Sequence, residues 1–191
     1  MNSILLIVSG PAGSGKNTVC ERLIAENSNI LRAITSTTRK PRAGERDGVD
    51  YHFLSAEEFE KSIERGEFYE WAKVHGNYYG TAKSEILSKL ASGSDVILII
   101  DVQGASTWKK LADSDPELKG ILHSVFIKPA SLDVIARRMA LRGDNPEDIA
   151  RRLETAKREL KEEKNFELSF LSGTREQDFE SLKRIYLSLK K

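Results

Sequence analysis

Cysteine is nearly absent from this chain. Cys20 is the single example in 191 residues, which excludes an internal disulfide and fits a reducing compartment. Net charge is almost absent too. Thirty Lys and Arg offset 29 Asp and Glu, leaving a formal charge of +1, whereas a dedicated nucleic-acid binder is usually clearly basic. No apolar run is long enough to span a membrane. The N-terminal run, Ser3–Val8, covers only about six residues, too short and too weakly flanked for a signal peptide. With no targeting segment in view, a cytoplasmic location with neither nucleic acid nor membrane as partner is expected. Internal repeats, low-complexity tracts and obvious linkers are missing, and the three histidines, His52, His75 and His123, have no spacing that resembles a structural metal site. His52 and His123 read as strand residues and His75 as a turn residue.

What is present begins at once. The apolar strand Ser3–Val8 runs into Gly10-Pro11-Ala12-Gly13-Ser14-Gly15-Lys16-Asn17-Thr18, and a helical pattern follows. Glycines let the backbone curl so that successive N–H groups point inward. The helix start adds free N–H groups and the positive end of its dipole, and Lys16 supplies a mobile charge for outer phosphates. The spacing matches G-x-x-x-x-G-K-[ST] except at Asn17, which stands where a hydroxyl residue usually helps hold magnesium. Asn17 offers a carbonyl oxygen and Thr18 a hydroxyl one position later. Cys20 reads as a small residue packed beneath the loop.

Four further apolar runs, Leu31–Ile34, Val96–Ile100, Ser124–Ile127 and Phe166–Leu171, read as strands. The continuously apolar Val96–Ile100 fits a strand buried on both faces. Between them lie helical patterns at Thr18–Glu26, Ser84–Ala91, Ala105–Ala112, Leu132–Leu141, Pro146–Lys164 and Phe179–Leu189. Alternating strands and helices predict an α/β chain with a parallel sheet of five strands flanked by crossover helices. The stretch from Ser36 to Gly80 breaks that rhythm with Arg, Gly and Tyr. Tyr51-His52-Phe53 and Tyr78-Tyr79 read as short strands there, and Ala56–Arg65 as a helix with Ser55 and Glu58 forming a capping box. The expected organisation is a core of residues 1–35 and 84–191 with a small mixed lobe, residues 36–83, inserted in it.

Arginine is concentrated in that lobe and in Arg137–Arg152, read as an arginine-rich loop between two helices. Clustered guanidinium groups suit bidentate binding of phosphate oxygens. The alternating run Lys157–Lys164 reads instead as a solvated helix surface without chemistry. Asp101, at the end of a strand, is placed either to orient water around magnesium or to cap the next helix. Trp71 is expected to pack the lobe and Trp108 a helix core. Gly44, Gly48, Gly80 and Gly143 read as flexible points.

The succession Thr35–Glu45, Gly48–Phe53, Phe68–Ala72 and Gly76–Thr81 closely resembles guanylate kinases, and the resemblance covers nearly the whole chain. It implies a P-loop kinase fold with an inserted GMP-binding lobe and a helical lid at about residues 137–155. It implies transfer of the γ-phosphoryl group of ATP to GMP, and to dGMP, with Mg2+ accompanying ATP, by a monomer or homodimer. Gly10 to Thr18 would bind ATP. Arg39, Arg42, Tyr51 and Tyr79 match positions that grip the GMP phosphate, and Thr35, Glu70, Thr81 and Asp101 match other GMP contacts. An ionised Glu70 is acceptor-only and can take both guanine edge donors. Lys16, Arg39, Arg138, Arg142 and Arg152 would act on the transferring group, with Asn17 and Asp101 near the metal through water. Arg137 and Arg151 match no functional position. Relatives commonly carry an acidic residue where Ile99 stands and an asparagine where Ser172 stands. Two other readings use the same residues: a P-loop kinase with another phosphorylated acceptor, and a binding module of this family without turnover.

Overall fold

In the computed structural model, which describes residues 3–74, 76–141 and 143–190, five strands pair in parallel. They are β1 (Leu5–Ser9), β2 (Ile30–Arg32), β7 (Asp95–Ile99), β8 (Leu122–Lys128) and β9 (Leu168–Leu171), in the order β2-β7-β1-β8-β9. The central strand β1 is buried at every position. Its alternation sends Leu6 and Val8 to one face and Leu5 and Ile7 to the other, as a strand covered on both sides requires. Leu6 and Val8 meet Val19, Cys20 and Leu23 of α1 (Lys16–Glu26) and Phe179 and Leu182 of α7 (Arg175–Leu189). Leu5 and Ile7 meet Ile86 of α3 (Lys83–Ala91) and Ala105 and Trp108 of α4 (Val102–Ser114). Cys20 is fully buried in the first layer, and burial pushes its thiol up to about 12, so it packs as a small apolar group.

A second sheet forms within the inserted stretch. Its strands are β3 (Ser36–Thr37), β4 (His52–Phe53), β5 (Phe68–Val74) and β6 (Asn77–Ala82), in the order β4-β3-β6-β5. Helix α2 (Ala56–Glu64) packs on it and starts with the capping box read from Ser55 and Glu58. Phe59 of α2 stacks between Phe68 at 4.4 Å and Tyr78 at 5.2 Å. Tyr69 of β5 reaches back to Trp108 at 4.8 Å, so the second sheet is seated on the larger core through aromatic contact. A helical hairpin, α5 (Leu132–Ala140) and α6 (Pro146–Glu159), closes around Ile135, Met139 and Ala156.

Four expectations need correction. Phe68–Val74, read only as a recognition segment, is the longest strand of the second sheet; its alternation of Tyr69, Trp71 and Lys73 with Glu70 and Ala72 is a strand period. The stretch Arg137–Arg152 is not one loop. Arg137 and Arg138 lie in α5, Arg151 and Arg152 lie in α6, and Arg142 is outside the described residues, as is His75. The helix expected to run to Lys164 stops at Glu159 and continues as the 3-10 segment Leu160–Asn165. Gly80 is no hinge: it sits inside β6, where a Cβ would lie 2.8 Å from the Glu70 carbonyl oxygen and 3.0 Å from both Phe59 and the Trp71 side chain. Trp71 contacts Tyr78 as expected of a packing residue, yet stays 47% exposed. Among the described residues no helix is long and apolar enough to cross a membrane.

Gly80→Ala should therefore lower stability by about 1–3 kcal/mol, the usual cost of overpacking a tight site. Urea unfolding of the purified variant measures it, and wild-type stability would contradict the crowding argument.

Candidate active site

The turn after β1 is shaped by what its glycines avoid. Gly10 has φ +142°, and a Cβ there would lie 2.4 Å from the Ile127 carbonyl oxygen of the neighbouring strand β8. Gly13 and Gly15 adopt φ +83° and +98°, a region L side chains rarely enter. Gly15 caps α1 without a side-chain acceptor, and the first turn of α1 holds no acidic residue. The helix start thus carries no side-chain cap and no carboxylate in its first turn, the arrangement that suits a phosphate. Arg138 donates from Nη1 to the Gly13 carbonyl at 3.2 Å. Ser172, buried under the turn, gives its hydroxyl proton to Asp178 at 2.8 Å with the Ser14 carbonyl at 3.5 Å. Lys16 folds back, its Nζ donating to the carbonyls of Gly10 at 2.6 Å and Pro11 at 3.1 Å.

In front of this turn lies a cavity of about 440 Å3. Gly10, Ala12, Lys16 and Asn17 form one wall, and Thr35, Tyr51, Glu70 and Tyr79 another. Ile99, Asp101, Gln103, Thr107 and Glu159 complete it. The loop after β1 and the second sheet therefore share one cleft. Within the phosphate loop, Pro11 and Ser14 are buried and Thr18 is exposed, all three off the cavity lining.

Glu70 is presented by β5 and receives the Thr81 hydroxyl at 2.7 Å. Burial raises its pKa above the ordinary carboxylate value, and nearby Asp101 acts in the same direction. The Thr81 hydroxyl opposes the shift, as does the Trp108 indole more weakly. Thr81 is fully buried, so it stands behind Glu70 and orients it. Asp101 caps α4, accepting the Gly104 N–H at 2.8 Å, while also lining the cavity; both roles read for it are geometrically open.

Arg39 and Arg152, like Arg138, are engaged within the protein. Arg39 lies at the cleft margin, its guanidinium 5.4 Å from the Tyr51 ring, and its Nη2 donates to both carboxylate oxygens of Glu45 at 2.9 Å. Arg42 is exposed on the same loop. Arg152 pairs with Asp144 at 3.1 Å. Two carboxylates, one in the cleft and one beside Arg39, escape the sequence reading. Glu159 belongs to the charged run read as solvated surface, yet it is half-buried and lines the cavity, where burial raises its pKa and Lys16 opposes the rise. Glu45 gave no signal beyond its place in the arginine loop.

The guanylate kinase family model matches residues 2–188. The chain belongs to the guanylate kinase family. A guanylate kinase of Clostridioides difficile (strain 630) is 44% identical over 165 residues, 86% of this chain and 77% of that protein. One of Idiomarina loihiensis is 41% identical over 187 residues, 96% of this chain and 86% of that protein. The crystal structure of guanylate kinase from Anaplasma phagocytophilum superposes with a TM-score of 0.75 at 28% identity, covering 99% of this chain and 85% of that one. The P-loop kinase fold is thereby established for this guanylate kinase family member.

A buried acid with a raised folded-state pKa binds its proton more readily folded than unfolded. Its contribution to stability falls as pH rises through the window between the two values. Glu70→Gln should thus be more stable than wild type at neutral pH, with the two converging once the medium is acidic enough to protonate Glu70 in both states. Urea unfolding of both proteins across that range measures the difference, and a variant less stable than wild type at neutral pH would refute it.

Proposed function

We propose that the protein transfers the γ-phosphoryl group of ATP to GMP, and to dGMP, releasing ADP and GDP. One observation carries this reading: Lys16 of the phosphate loop and the Glu70–Thr81 pair serve the same cavity. ATP phosphates fit the N–H groups of Gly13 to Lys16, with Lys16 moving from the Gly10 and Pro11 carbonyls to the outer phosphates. Glu70 accepts the N1–H and N2–H2 donors of guanine. Adenine lacks that donor pair and would leave a buried carboxylate unpaired, a large penalty. Thr81, already donating to Glu70, holds the carboxylate in place, while Thr35 lines the cavity beside it. Tyr51, Tyr79 and Arg39 receive the GMP phosphate, and Arg42 joins when the lobe closes.

The acceptor phosphate is already an anionic nucleophile, so the protein supplies alignment and charge rather than a base. Arg138 and Arg152 are assigned to the transferring group, and closure of the lobe and the α5–α6 hairpin would keep water from accepting it. Asn17 and Asp101 present amide and carboxylate oxygens to the cleft, donors that suit a hard cation. Among the described residues no group of three His, Cys, Asp or Glu could hold a metal. Mg2+ would be carried chiefly by nucleotide phosphates and water. When bound, Mg2+ offsets the negative charge of the phosphate oxygens. A cytoplasmic setting accords with the lone, buried Cys20.

ADP release with GMP, dGMP, AMP, CMP and UMP as acceptors tests the assignment, and preference for any base other than guanine overturns it. Lys16→Ala should abolish turnover while sparing GMP affinity. Glu70→Gln should weaken GMP binding by roughly 1–3 kcal/mol, the cost of losing a charged hydrogen-bond partner. Calorimetric titration of both variants with GMP checks these outcomes.

A further inference from the structure

Glu45 takes no part in the steps above, yet it holds Arg39. Its side chain is 19% exposed and that of Arg39 is 15% exposed. Both carboxylate oxygens accept from Arg39 Nη2 at 2.9 Å, and Oε2 also accepts the backbone N–H of Arg42 at 2.7 Å. The Glu45 N–H closes the turn by donating to the Arg42 carbonyl at 3.1 Å. On its other sides the guanidinium lies 5.4 Å from the Tyr51 ring and 5.9 Å from the Phe53 ring, and Nη1 donates to the Lys40 carbonyl at 2.7 Å. Tyr51 and Tyr79 line the cavity, whereas Glu45 does not. One carboxylate thus fixes the orientation of Arg39 and the backbone at Arg42.

We propose that Glu45 is a positioning residue for the acceptor phosphate, locking the Arg39 guanidinium beside Tyr51 and Tyr79 and setting the loop that carries Arg42. The proposal rests on the assignment of GMP to this lobe. An unrestrained arginine loses much rotamer freedom when it grips a phosphate. Arg39 has already lost that freedom in the folded protein, so the cost is removed from binding. The carboxylate also balances the arginine charge, which makes its burial tolerable before any phosphate arrives. Glutamine at this position would keep the shape and one acceptor oxygen, but would lose the charge and the two-oxygen grip.

The test is calorimetric GMP binding together with steady-state kinetics on the full-length wild type, Glu45→Gln and Glu45→Asp, with thermal unfolding as the check on folding. Glu45→Gln should raise the GMP Kd and KM about tenfold, as loss of a charge-assisted hydrogen bond does. The KM for ATP should stay within about twofold, because ATP is assigned to the phosphate loop and not to Arg39. Glu45→Asp, which keeps the charge on a shorter arm, should recover part of the loss. Unchanged GMP affinity in a folded Glu45→Gln protein overturns the proposal. Tightened affinity overturns it as well, since the carboxylate would then compete with the phosphate. Equal losses for ATP, GMP and kcat would reduce Glu45 to a general structural role and also overturn it. Failure of the wild type to bind GMP would instead bring down the acceptor assignment itself, so the two failures are told apart.

Discussion

The phosphate loop depends on the contacts that hold its carbonyls in place. Arg138 holds the Gly13 carbonyl, Lys16 holds those of Gly10 and Pro11, and Ser172 sits under that of Ser14. On the strand side, Gly10 is pressed so closely against the Ile127 carbonyl that no side chain fits. Beside the local grip of Lys16 from α1, these contacts come from β8, α5 and the turn before α7, elements far from the loop in sequence. The loop is therefore a product of the whole parallel sheet and its hairpin. A glycine-rich turn alone would have too many conformations to present one anion site.

The same cleft concentrates acid. Glu70, Asp101 and Glu159 line a cavity whose other ionisable group at the loop is Lys16. Burial pushes Glu70 and Glu159 towards their neutral forms, so each is costly to keep ionised without a ligand. Base donors can relieve Glu70, and a cation can relieve the carboxylates near Lys16. An empty site that is electrostatically uncomfortable is a site in which the right ligand gains more than contact area. This is a familiar exchange of stability for function.

Local rules made much of this legible from sequence. The strand–turn–helix around Lys16, the Ser55–Glu58 box and the doubly buried Val96–Leu98 each depend on residues within one or two turns of one another. Trp108 and Cys20 followed from simple size and polarity. The misses share a different cause. Glu159 lies in a run whose charges alternate at helical spacing, and periodicity identifies helix faces without saying what covers them. Gly80 looked permissive because glycine is permissive, yet its reason is external: Phe59 and Trp71 fill the space a Cβ needs. The Glu45–Arg39 grip and the Ser172–Asp178 pair are polar matches decided by loop and turn geometry, which composition does not encode. The strand Phe68–Val74 carries its period plainly, but its mixture of aromatics and charges also reads as a recognition segment.

The arginines explain how a chain of almost zero net charge can still be built around phosphate. Arg39 rests on Glu45, Arg152 on Asp144 and Arg138 on a backbone carbonyl of the phosphate loop. Each of these three guanidinium groups has a partner inside the protein, which limits repulsion among them. Phosphates entering such a site do not meet bare charges. They exchange partners with carboxylates and carbonyls, and the free energy of closure is the difference between the two sets of bonds rather than the full strength of either. Arg138 gives the exchange a direction: because it holds the Gly13 carbonyl from α5, any movement of the α5–α6 hairpin is felt at the loop where the phosphates would sit.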